Sequence, residues 1–85
     1  MQLLLEKPAR KGLDRMPHKA AMAMLNRLEK IAASPRSTHL NVKPLKGFKD
    51  TYRLRQGDWR AVYRLVDAID EMRVVVVDVR GSVYR

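Results

Sequence analysis

The chain has no cysteine, one tryptophan, one phenylalanine, four glycines and four prolines in 85 residues. Without cysteine there is neither a disulfide framework nor a zinc ribbon, and the absence fits a reducing cytoplasm. The two histidines stand far apart, His18 where a helix should start and His39 in a loop, so no metal site is expected. Long apolar runs are missing as well. Leu3–Leu5 is too short for a signal-peptide core, and the longest later run, Val74–Val77, falls far short of a membrane span. These absences predict a soluble cytoplasmic protein without a cofactor or membrane contact.

Acidic residues are scarce. Nine Asp and Glu stand against eighteen Lys and Arg, which gives a formal charge of +9 and a pI near 10.5. That balance is the electrostatic footprint of a nucleic-acid binder, although membrane surfaces and acidic proteins would also be attracted. The length allows one domain, residues 1–85, with a single modest core.

Along the chain, Gln2 to Leu5 reads as a short strand ended by Pro8, and Pro8 to Asp14 gives two helical turns that Gly12 weakens. Pro17 opens a better helix. Ala21, Met24, Leu25, Leu28, Ile31 and Ala32 recur at three- and four-residue spacing and form its apolar stripe. Met16, Met22 and Met24 read as core or edge fillers. Ser34-Pro35 stops the helix, because the residue before proline is pushed out of the α region. Arg36 to Lys46 reads as an extended connection, Gly47 as a turn and Phe48 as a core plug. After Leu65, residues 67–71 read as a loop. Met72 to Val79 then reads as a central strand covered on both faces for much of its length.

Between these segments lies the most informative stretch. Gly57-Asp58 separates two runs of alternating character, Thr51–Gln56 and Trp59–Leu65, and a Gly-first two-residue loop predicts a type II′ hairpin. In that register Gln56 faces Trp59, Arg55 faces Arg60, Leu54 faces Ala61, Arg53 faces Val62 and Tyr52 faces Tyr63. Strand alternation puts Tyr52, Leu54, Trp59, Ala61, Tyr63 and Leu65 on one face and Arg53, Arg55, Arg60 and Arg64 on the other. A solvated face with spread charge would account for the arginines. A rigid plate for a polyanion would also explain why they are arginines, since a planar guanidinium grips phosphate oxygens in pairs. Lys43, Lys46 and Lys49 extend the pattern, so residues 43–64 carry seven basic and two acidic side chains. The expected fold is α+β: a small antiparallel sheet in the order β-α-α-β-β-β, its last three strands a meander, with the helices packed on the apolar face.

No nucleophile elbow, phosphate-cradling glycine loop or apolar-framed carboxylate pair is present. Any catalysis must use Arg, Lys and Tyr, and that points to a phosphodiester, where stabilising a crowded anionic phosphorane matters most.

Pro44-Leu-Lys-Gly47, then Tyr52-Arg-Leu-Arg-x-Gly-Asp-Trp-Arg60-x-Val-Tyr63, then a valine-rich strand and Val83-Tyr84 together resemble the RelE/ParE superfamily of bacterial toxin–antitoxin toxins. The resemblance covers nearly the whole chain, including Ala9–Leu13 and the helix ending at Ser34-Pro35. It implies a RelE-like fold and a cognate antitoxin, an acidic or amphipathic segment that wraps the domain. In the RelE branch it implies an endoribonuclease that cuts mRNA on the ribosome through the ribose 2′-hydroxyl. Arg60 would then take the transition-state phosphate, and Arg53 and Arg55 the two basic hairpin positions. Tyr84 would stack or handle a proton, and Arg80 would be the late arginine, with Lys43, Lys46, Lys49 and Arg64 as further RNA or phosphate contacts. A guanidinium with a pKa above about 12 cannot act as general base at neutral pH, which leaves Tyr84, a lysine such as Lys46, or a ribosomal group. In the ParE branch the same resemblance implies a non-enzymatic inhibitor of DNA gyrase.

Overall fold

The tight reversal at Gly57 organises the sheet. In the computed structural model, which describes residues 1–79, Gly57 has φ +60° and Asp58 is not among the residues of positive φ, as a type II′ turn requires. The strands on either side, β3 (Thr51–Gln56) and β4 (Trp59–Val66), pair antiparallel in the predicted register, from Gln56 opposite Trp59 to Tyr52 opposite Tyr63.

The other elements are β1 (Gln2–Leu5), α1 (Lys7–Arg15), α2 (His18–Ala33), β2 (Val42–Pro44) and β5 (Glu71–Val79), with a 3₁₀ turn at Asp67–Ile69. The five strands form one sheet in the order β1-β5-β4-β3-β2. Two features depart from the expected meander. β1 runs parallel to β5, from Gln2 beside Glu71 to Leu5 beside Val74, so the sheet is mixed rather than antiparallel. β1 pairs with the last strand of the chain rather than with its neighbour in sequence, and a four-residue strand carries no periodic signal that would give its partner or direction. The expected surface connection also contributes β2, which pairs antiparallel with β3 through Val42–Leu54, Lys43–Arg53 and Pro44–Tyr52. Pro44 is tolerated there because β2 is an edge strand.

The core lies between the helices and the predicted apolar face. Leu54, Ala61, Tyr63 and Leu65 are buried against Met24, Leu28, Ile31 and Ala32 of α2 and Ala9 and Leu13 of α1. Met16 and Met24 are core residues, whereas Met22 is exposed. Gly12 permits the contact that brings α1 onto the sheet: a Cβ there would lie 1.7 Å from the Val77 carbonyl oxygen.

β5 is central, but its run of valines has a different cause from burial on both faces. The β4–β5 register shifts between Val62 and Tyr63, so Tyr63 pairs with Val74 and Val62 with Val76. The bulge at Val75 reverses the alternation, which lets Val74 and Val77 both reach the helix side and be fully buried while Val75 and Val76 are only half-buried. Phe48 is not a core plug, being 63% exposed. It sits on the loop that joins β2 to β3, beyond the reach of either helix stripe, because the Leu45 amide closes that loop against the Thr51 carbonyl oxygen at 2.9 Å.

Candidate nucleic-acid interface

On the sheet face away from the helices, the strand pairings set the charged residues in rows. Nearest the hairpin turn, Arg55 faces Arg60 and Arg60 faces Asp78. The next row runs Lys43, Arg53, Val62 and Val76, and the third Thr51, Arg64 and Arg73. The four arginines expected on one face therefore do share it. Arg55 and Arg64 are exposed, while Arg53 and Arg60 are half-buried, with the Arg60 Nε shielded from solvent.

β2 adds a third strand to the hairpin and brings Lys43 beside Arg53. The Arg55 amide donates to the Asn41 carbonyl oxygen at 3.0 Å, which ties the residue before β2 to the same corner. Asn41, Lys43, Arg53 and Arg55 line a cavity of about 240 Å³. Three cations and a carboxamide around one hollow suit an oxyanion, and they offer no proton acceptor stronger than the amide oxygen.

Lys46 and Lys49 are exposed on the β2–β3 loop, at the Thr51–Arg64 end of the hairpin rather than the Arg55–Arg60 end. Four residues of strand separate the two rows, roughly 13 Å at the usual rise per residue. Arg80 and Tyr84 lie outside the described residues.

Sequence reasoning missed Asn41 and Asp78. Asn41 adopts φ +61°, a left-handed conformation that asparagine tolerates, and its turn before a short edge strand left only a weak signal. Asp78 follows the run of valines in β5, and the bulge within that run decides which face it takes. It stands next to Arg60 in register, and its carboxylate lies 3.7 Å from Arg15 of α1.

Two residues near the site have displaced pKa values. Burial, with a further contribution from neighbouring Tyr52, pushes the Tyr63 phenol up to about 12, and the two rings stack 5.5 Å apart at 21°. Arg36 is raised chiefly by its hydrogen bond to Asp50, against an opposing effect of desolvation. It bridges Asp50 at 3.1 Å and Asp67 at 2.6 Å, holding the β2–β3 loop to the turn after β4. Among the described residues, no group of three or more His, Asp or Glu side chains is placed to hold a metal ion. None of the described helices is long and apolar enough to cross a membrane.

Several solved toxins and toxin–antitoxin complexes share this architecture. The chain matches the intact Escherichia coli RelBE toxin–antitoxin complex with TM-score 0.79 and 24% identity, over 94% of this chain and 96% of that one. The RelB–RelE complex of Methanococcus jannaschii matches with TM-score 0.76 and 25% identity, over 95% and 94%. A YoeB/ParE toxin from Agrobacterium tumefaciens matches with TM-score 0.78 at 16% identity, over 94% and 99%, so the fold persists where the sequence has largely diverged. No curated protein matches the sequence. The family model for the ParE toxin of type II toxin–antitoxin systems matches residues 3–82, nearly the full length, and the chain therefore belongs to that family, within the RelE/ParE superfamily.

Proposed function

We propose that this toxin is a ribosome-dependent mRNA endoribonuclease. The observation that supports this most is the cationic face, where Arg60 lies between Arg55 and Asp78 and adjoins the row of Lys43 and Arg53. The ribose 2′-oxygen attacks the adjoining phosphorus, the bond from phosphorus to the 5′-oxygen breaks, and the leaving oxygen takes up a proton. Arg60 stabilises the charge that builds on the non-bridging oxygens, and Arg53 and Arg55 hold the phosphate in line. Tyr84 stacks on the substrate or protonates the leaving oxygen, and Arg80 is a further phosphate contact. Lys43, Lys46, Lys49 and Arg64 track the flanking backbone. Lys46 is remote from the Arg60 row, so with Tyr84 protonating the leaving oxygen the proton of the attacking hydroxyl passes to a ribosomal group.

In the similar complexes RelE is paired with RelB, and an analogous cognate antitoxin is the partner proposed here. A +9 chain with an uncovered arginine face favours an acidic or amphipathic segment, which would mask the charge and speed association. The protein should then arrest growth when expressed alone and be tolerated with its neighbouring antitoxin gene.

A second reading, inhibition of DNA gyrase without RNA cleavage, is favoured by the family model, which is described for ParE. Purified protein in a reconstituted translation system and, separately, in a gyrase assay separates the two. Cut transcripts with supercoiling intact support the nuclease; intact transcripts with lost supercoiling support the gyrase inhibitor.

A further inference from the structure

We propose that Phe48 is a stacking platform for a base of single-stranded RNA, at the edge of the cationic face. This rests on the nuclease reading, because it takes the substrate strand as the occupant. The ring is 63% exposed on a loop whose flanking positions include Lys46 and Lys49. It lines a groove of about 600 Å³ between that loop and the end of β4, whose walls include Lys49, Arg64 and Ala68. Two carboxylates also line the groove, those of Asp50 and Asp67, and Arg36 is bonded to both, which neutralises one of their two charges. Lys49, Arg64 and Arg36 together outnumber the two carboxylates, so the ring sits in a groove of net positive charge.

That combination fits an unpaired nucleotide better than an apolar peptide. A phenyl ring offers a π-face to any base and no hydrogen bond to read one, while the flanking cations hold the phosphates. Arg64 belongs both to the groove and to the face that carries Arg53 and Arg60. An RNA strand lying across the arginines therefore runs into the groove without leaving positive surface.

The probe is a 2′-O-methyl oligouridine, which lacks the attacking hydroxyl, compared with an abasic oligomer of equal length. Phe48→Ala should weaken binding of the oligouridine about tenfold and leave the abasic oligomer unaffected, and Phe48→Tyr should retain wild-type affinity. The salt dependence should be unchanged in Phe48→Ala and shallower by about 0.7 in log–log slope for Lys49→Ala. Wild-type oligouridine affinity in Phe48→Ala, or equal losses for both probes, would overturn the proposal. So would a Phe48→Ala protein that keeps its RNA affinity but loses affinity for the cognate antitoxin, which would give the groove to a protein. Base-dependent binding through Phe48 in a wild-type protein that cuts no transcript would overturn the nuclease reading and leave the groove standing.

Discussion

Arg55 and Arg60 stand directly opposite each other on the open face of the hairpin. Two like charges in that relation oppose pairing, where an opposite-charge pair would contribute roughly 0.2 to 1 kcal/mol. Arg55→Glu is therefore expected to raise stability by up to about 1 kcal/mol in urea unfolding, while lowering RNA affinity and flattening its salt dependence. A loss of both stability and RNA affinity would mean that Arg55 is structural.

The approach of α1 to β5 predicts an unusual response to alanine. In an exposed helix interior, Gly→Ala stabilises by about 1 kcal/mol. At Gly12 the new Cβ would meet the Val77 carbonyl oxygen at 1.7 Å, and backbone cannot rotate away as a side-chain tip can. The clash should win, and Gly12→Ala should destabilise by about 2 kcal/mol or more in chemical denaturation.

Tyr63 sets a limit in alkali. Its phenol titrates at about 12 in the folded chain against 10.0 ordinarily, so above pH 10 the unfolded chain releases a proton that the folded chain keeps. The stability this provides is complete below pH 10 and is lost as pH rises through 12. Unfolding free energies measured across that range should fall more steeply for wild type than for Tyr63→Phe.

The proposed chemistry predicts that Arg60→Ala and Tyr84→Phe each lower transcript cleavage by orders of magnitude. Circular dichroism and unfolding midpoints should show both variants folded. Full activity in both would remove them from the mechanism.

The hairpin was legible because a two-residue turn beginning with glycine fixes register, and strand alternation then assigns every side chain from Tyr52 to Leu65 to a face. The stripe of α2 was legible for the same reason, a period sustained over about three turns from Ala21 to Ala32. What failed was local information without a period. Gln2–Leu5 is too short to declare a parallel partner, and Val42–Pro44 is three residues of edge strand inside what read as a connection. Gly12 read as a weakness of α1 because its partner, the Val77 carbonyl, lies 65 positions away in the sequence. Phe48 was misplaced because hydrophobicity alone says nothing of whether a loop residue can reach the core. In the candidate site, the arginine face followed from the hairpin. Asn41 joined it through β2, and Asp78 took its place beside Arg60 through the bulge at Val75, which no count along the chain discloses.

Programmed ribosomes show whether the arginine face cuts RNA. Wild-type protein and Arg60→Ala would each be added to purified ribosomes holding a defined mRNA, and the 5′ ends mapped by primer extension. A nuclease role for that face requires a discrete cut within the ribosome-bound message for wild type and its near-complete loss for Arg60→Ala. An intact message with wild-type protein, or the same cut at the same rate with Arg60→Ala, would contradict it.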